Sequence, residues 1–370
     1  FDFTRSGSAT RINSQGLIET VGNGVSRLNY PLIDGKVVGC PSHILEPTRT
    51  NLITHSEGFV SDWNNTNIII NSNSIISPDG NLNGTKFIPN TTSGQHFLDR
   101  NGITVNSNAT ASIFAKKGEY KRFAIRSYFT GANAIFDVNE GIIVSESSVT
   151  AKIEDYGNGW YRCSLNETLN TNYGYGIFVM EDDSNNTSDT YSGNGIDGMY
   201  FYGASLEIGS FITSYIPTTS SAVTRSAETA NNSGDASTFN DSEGVLMAEI
   251  SGFVSTPETW NGISISDTTA NNRVFLANPT VNNQIRVIIS SGGFTQVDVS
   301  TTNYNVTQQN KIAIKYKQND FSVFINGFES LTDTSGNTPI NLSELAFDDG
   351  GGGSNFYGNT KQIQYYDSAL

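Results

Sequence analysis

Apolar and polar residues alternate in short runs along most of this chain, and turn-forming residues separate one run from the next. In GWYRCSLNETL, residues 159–169, Trp160, Arg162 and Ser164 fall on one side of a period-two pattern, with Tyr161, Cys163 and Leu165 on the other. Successive side chains of a strand point to opposite faces, so this pattern predicts a strand with one face in a core. Comparable runs occupy 66–76, 109–117, 121–129, 134–144, 174–180 and 198–208. A second set occupies 244–253, 261–267, 272–278, 283–290, 295–301, 311–317, 320–327 and 360–367. Ile312, Ile314 and Tyr316, then Phe321, Val323 and Ile325, predict two facing strands joined by a turn at Gln318–Asp320, and Asn326–Gly327 is a further turn signal. Many short strands with regular turn-rich gaps predict an all-β chain built of two antiparallel β-sandwiches.

The rhythm also divides the chain. Residues 1–50 carry little periodicity and many glycines and prolines, which predicts an extended lead-in that packs on a neighbour. The first sandwich is expected over 51–217. The run at 218–240 is small and polar with no apolar period and reads as a linker, leaving 241–370 for the second sandwich. A length of 370 residues is enough for two cores.

Composition narrows the partners. Only 15% of residues are charged and the net charge is −15, which argues against the phosphate backbone of nucleic acid and against an anionic membrane surface. No apolar stretch approaches the roughly 20 residues that span a bilayer as a helix, so membrane insertion is not expected. The opening FDFTRSGSATR lacks the basic-then-apolar pattern of a secretory signal, and export by that route is not expected. Cys40 and Cys163 lie far apart and read as buried thiols rather than a disulfide framework. The N-x-[ST] sequons at Asn83, Asn108, Asn166 and Asn305 read as a product of Asn- and Thr-rich composition.

Candidate chemistry is sparse. No nucleophile elbow, phosphate loop, metalloprotease helix or Cys/His zinc pattern occurs, and His43, His55 and His96 are not spaced as a metal pair. Paired carboxylates on separate strands would suffice for glycoside hydrolysis, and among 36 acids no spacing rule addresses them. The expectation is a protein that is not an enzyme. Sugar binding needs a ring against the apolar face of a pyranose and planar polar groups for its hydroxyls. Trp160 reads as a core residue within its strand, as does Trp63 in the first strand-turn. Trp260 in PETWNG and Tyr173 and Tyr175 in NTNYGYG are the ligand-binding candidates, with core or edge packing the competing reading for the tyrosines. Acid-rich loops at 181–189, with Asp182 and Asp183, and at 347–355 offer oxygen donors of the kind calcium accepts, with a solvated loop as the competing reading.

Several phrases resemble known modules. GASLEIGSFITSYIPTTSSAVTR at 203–225 resembles the closing signature of a lectin-like module of tailed-phage virion proteins. ATRINSQGLIETV at 9–21, LEPTRTNLITHSEGF at 45–59 and GNGWYRCS at 157–164 precede it in the order found in such proteins. DSEGVLMAEI at 241–250, KIAIKYKQNDFSVFINGF at 311–328 and YGNTKQIQYYDSAL at 357–370 continue the resemblance to the end of the chain. It implies a carbohydrate-binding-like jelly roll followed by a laminin-G/concanavalin-like sandwich, in a tail, fibre or capsid-decorating protein of a virion, extracellular after lysis. The implied partners are host-surface polysaccharide and other virion proteins, and the implied assembly is a homo-oligomer, a trimer as in many fibres. NLITHSEGFVSDW and GIDGMYFYGASLE are similar to the first and last strands of calcium-stabilised carbohydrate-binding jelly rolls, which implies a structural calcium through Glu57 and Asp197. A purely structural virion component and an accessory module of a secreted polysaccharide-degrading enzyme are the alternatives.

Overall fold

The computed structural model describes residues 1–59, 61–105, 107–127, 130–168, 171–253, 260–279, 284–302 and 304–369, with the side chains of 171–173, 260, 278 and 279 outside the description. Among these residues every regular element is a strand. The chain is all-β and forms two antiparallel sandwiches.

The first sandwich pairs two six-stranded sheets. One runs in the order Ile68–Ile76, Leu82–Pro89, Met199–Ile208, Asn108–Lys116, Trp160–Thr168, Thr150–Gly157. The other runs Ile142–Ser147, Asn133–Asp137, Arg122–Ser127, Thr171–Met180, Phe97–Val105, Asn64–Thr66. Ile113, Cys163, Leu165 and Leu206 from the first sheet meet Phe123, Ile125, Phe136 and Ile177 from the second in one core. Tyr161, Cys163 and Leu165 face that core, as the alternation predicts. The opposite face of the same strand is covered as well: Trp160, Arg162 and Ser164 are buried. Trp160 donates its indole N–H to the Ile76 carbonyl at 3.0 Å and packs with Ile18, Phe114, Tyr202 and Tyr215 in a second layer.

Gly203 sets which face is which in the strand Met199–Ile208. Its φ is +62°, and the register against Asn108–Lys116 shifts there, from Phe114↔Tyr202 to Ser112↔Ser205. The extra residue is a β-bulge and reverses the alternation. Phe201 faces the core before it, Ala204 and Leu206 after it. Glu207 is thereby turned to the outer layer, where it accepts from the Thr213 hydroxyl at 2.6 Å.

The second sandwich stacks a seven-stranded sheet on a five-stranded one. The larger runs Phe328–Asp333, Phe321–Ile325, Asn310–Lys317, Glu243–Gly252, Gly358–Tyr366, Ser42–Leu45, Arg27–Asn29, and the smaller Phe294–Thr301, Ile285–Ser291, Arg273–Pro279, Trp260–Ser266, Glu344–Ala346. Ile312 faces Ile325 and Ile314 faces Val323 across the expected hairpin, and Asn319 takes φ +57° in its turn. Asn326 and Gly327, at φ +53° and +90°, make the next hairpin a two-residue one between Ile325 and Phe328.

The lead-in is woven through both sandwiches. Arg27–Asn29 and Ser42–Leu45 extend the seven-stranded sheet beside Gly358–Tyr366, and Leu45 enters the second core. The 218–240 stretch, read as a linker from its polar composition, holds two short strands. Val223–Arg225 pairs with Arg49–Asn51, and Thr229–Asn231 pairs with Asp2–Thr4. Strand pairing uses backbone groups and needs no apolar period, which is why composition alone did not reveal it.

A buried ion network fixes these crossings. Arg27 Nη2 lies 2.7 Å from Glu46 Oε2, Arg27 also pairs with Glu228, Arg5 Nη1 reaches Glu228 Oε1 at 2.8 Å, and Arg225 Nη1 reaches Glu46 Oε2 at 2.8 Å. All five side chains are almost fully buried. Ser214 donates to Glu46 through its hydroxyl at 2.6 Å and its backbone N–H at 2.8 Å. Asn51 donates to the Ala204 and Ile216 carbonyls and accepts from the Leu206 and Ile53 N–H groups. The polar residues of LEPTRTNLI and GASLEIGSFITSYIPTTSSAVTR thus bond to one another across the fold.

Candidate binding cleft

Where the lead-in, the 209–217 segment and the two sandwiches meet, they leave a cleft of about 630 Å³. That volume is in the range of small-ligand sites, roughly 300–1,000 Å³. Its floor is the outer face of the first sandwich, where Tyr156, Arg162, Ser164 and Asn166 project by strand alternation. Thr10, Ile12 and Ile44 of the lead-in and Ser210–Ser214 form one wall. Ser251–Phe253, Gln308 and Asn359 of the second sandwich close the end. Phe211 and Phe253 stack across the junction, with ring centroids 5.4 Å apart and planes 19° apart, and the Arg49 guanidinium lies 5.1 Å from the Phe211 centroid.

The charges lining the cleft are already matched. Lys152 Nζ is 2.6 Å from Glu154 Oε1 at the exposed lip. Arg162 is buried, donates to the Thr213 carbonyl at 2.7 Å, and lies 4.0 Å from Glu207. Burial alone would raise the Glu46 carboxyl, but the guanidiniums of Arg225 and Arg27 and the Ser214 bonds hold it down to about 2. Among the described residues the cleft is lined by no histidine or cysteine. The carboxyls that burial pushes up, Glu57, Asp99 and Asp348, do not line it either. Apart from these paired charges, the recess is lined by hydroxyls, amides and aromatic rings.

No protein-family model and no curated protein matches the chain. Among solved structures it is similar to domains LG4–5 of the mouse laminin α1 chain, at 9% identity, over 86% of this chain and 94% of that one, with a TM-score of 0.25. At that level the fold rests on the sheet topology and not on the likeness.

The residues expected from sequence to form a site lie apart from one another. Tyr175 is fully buried in the first core, edge-on to Trp63 with centroids 5.8 Å apart, and so is not available to stack on a sugar. The ring points inward despite the glycines on either side, because residue 175 has the core parity of Ile177 and Val179. Tyr173 pairs with Ile103 and Trp260 with Pro279 through the backbone, and the side chains of both lie outside the described residues. Glu57 accepts from the Tyr202 and Tyr215 hydroxyls, each at 3.1 Å. Asp197 closes its own turn with Asn194, whose Nδ2 is 2.6 Å from Asp197 Oδ2. Asp182 accepts from the Lys121 N–H at 3.0 Å, and Asp183 is exposed beside it. Calcium takes six to eight oxygens, whereas Glu57, Asp197 and Asp182 serve separate local bonds. Among the described residues no three His, Cys, Asp or Glu side chains gather as a metal set. The 347–355 loop is likewise bonded to itself: Asp349 accepts from the Gly351 and Gly353 N–H groups, and Asp348 from Gly350 and Asn231. Cys163 is buried, as expected, but Cys40 is exposed, because its glycine- and proline-flanked segment lies at the surface.

Sequence reasoning missed Arg162, Ser210, Phe211 and Phe253. Three of these four stand in the phrases GNGWYRCS and GSFITSY, and only the packing of the lead-in makes a cleft of them.

Proposed function

We propose that this chain is a non-catalytic adhesion protein of a virus particle that binds host-surface glycan. The observation that carries this reading is the cleft: a recess of about 630 Å³ with rings, hydroxyls and amides at its surface and its ionic groups paired off. The phage-module phrases in the sequence support the setting. Single sites of this kind are shallow, so attachment draws on many copies, where effective concentration raises avidity by roughly 10² to 10⁴. A homo-oligomer, trimeric as in many fibres, is part of the proposal. The test is to apply multimerised chain to host cells and to a glycan array while assaying the polysaccharide for new reducing or unsaturated ends. Cell and glycan binding without new ends supports the reading, and release of such ends overturns the non-catalytic part.

A second reading, a structural virion component, is favoured by one observation. Phe328 is 74% exposed at the start of the strand that forms the free edge of the seven-stranded sheet, a place where a neighbouring subunit could pack. Glycan binding absent from the multimer, with density for Phe328 inside a subunit contact of an intact virion, would select it.

A further inference from the structure

We infer that the cleft selects an uncharged, hydroxyl-rich oligosaccharide, held from Arg162 and Ser210 on one side and the Gln308 lip on the other. This rests on the adhesion reading and names its ligand class. Two acids, Glu46 and Glu154, and two bases, Lys152 and Arg162, line the cleft, and each is engaged by an opposite charge of the protein itself. Among the described residues an anionic ligand would find no free cation there, and it would approach a chain of net charge −15. A cationic ligand would have to compete with Arg27 and Arg225 for Glu46, both of them buried with it. Neutral hydroxyls face neither obstacle.

Two polar atoms point further. Arg162 is almost wholly buried and its guanidinium meets the Tyr156 hydroxyl, but among the described residues its Nε makes no hydrogen bond of ordinary geometry, and the Ser210 hydroxyl is likewise buried and unpartnered. Both residues line the cleft. A buried donor without a partner is unfavourable unless a ligand or solvent completes it, and a ligand hydroxyl oxygen can accept from such an N–H without bringing charge into the cleft. Asn166 uses its amide N–H₂ on the Ala109 and Gly209 carbonyls and the Thr110 hydroxyl, which turns its donors away from a ligand. The Gln308 side chain is exposed at the lip, on the second sandwich, so the ligand would touch both sandwiches at once.

The experiment uses the full chain in multimerised form, an array of uncharged and anionic oligosaccharides, and the variant Gln308→Trp, which fills the lip without touching the ion network. Ser210→Ala is the second variant, and thermal melting confirms that both fold. The expected result is binding confined to uncharged oligosaccharides, weakened at least tenfold by Gln308→Trp and measurably by Ser210→Ala. Binding confined to anionic glycans, or binding unaffected by either variant, overturns the inference and leaves adhesion standing through another surface. No glycan binding at all means that solvent alone fills the cleft, and overturns both.

Discussion

Arg27 is the residue on which the most distant parts of the chain converge. It is fully buried, donates to the Thr10 carbonyl at 2.7 Å, and pairs with Glu46 and Glu228, which lie on opposite sides of the first sandwich in sequence. Removing one partner from a buried pair leaves the other charged and unsolvated, at a cost of about 3–5 kcal/mol. Arg27→Met is therefore expected to destabilise the fold by about that amount in denaturant unfolding. A loss below about 1 kcal/mol, the scale of an exposed pair, would mean the network is not what holds the lead-in. Glu46 adds a pH signature. Its carboxyl is held near 2 in the fold against an ordinary value of 4.5, so its contribution is fully present above about 4.5 and is lost as pH falls toward 2. Unfolding free energy measured from pH 6 down to pH 2 should decline more steeply in the native chain than in Glu46→Gln. Parallel profiles would contradict the assignment.

At the scale of elements, much of the fold was legible because strand alternation is a local property. The hairpin around Asn319, the turn at Asn326–Gly327 and the core face of Trp160–Thr168 all follow from period-two spacing and turn chemistry. The covered outer face of that strand was not legible. Arg162 and Ser164 look like solvent positions until the lead-in and the 209–217 segment close over them. The site suffered for the same reason. Tyr175 was a candidate as an aromatic beside glycines, but parity places it in the core, while Phe211 and Phe253 come together only through tertiary packing. Gly203 links the two levels. A Cβ there would lie 2.9 Å from the Phe114 ring and 3.1 Å from Tyr215, at a φ of +62° that side chains resist. Gly203→Ala should lower stability by about 1–3 kcal/mol, read from thermal or denaturant unfolding. An unchanged stability would show that the bulge can relax and does not fix the direction of Glu207.

The whole molecule behaves as a clasped pair rather than two beads. The lead-in gives strands to the second sandwich, a strand to each short pairing with 223–225 and 229–231, and ion partners to Glu228 and Arg225. The exposed run at residues 219–222 is open to protease. Cleavage there should give two bands under denaturing conditions and one species on native size exclusion. Separation of the halves without denaturant would contradict the clasp.

The same clasp builds the cleft, so the proposed adhesion would be a property of the assembled chain. The decisive measurement is titration of the full chain with polysaccharide purified from the host surface, followed by sizing of the recovered polymer. Adhesion without catalysis predicts saturable, reversible binding and polymer recovered at its original length. Shortened polymer, or no binding by the multimerised chain, would contradict it.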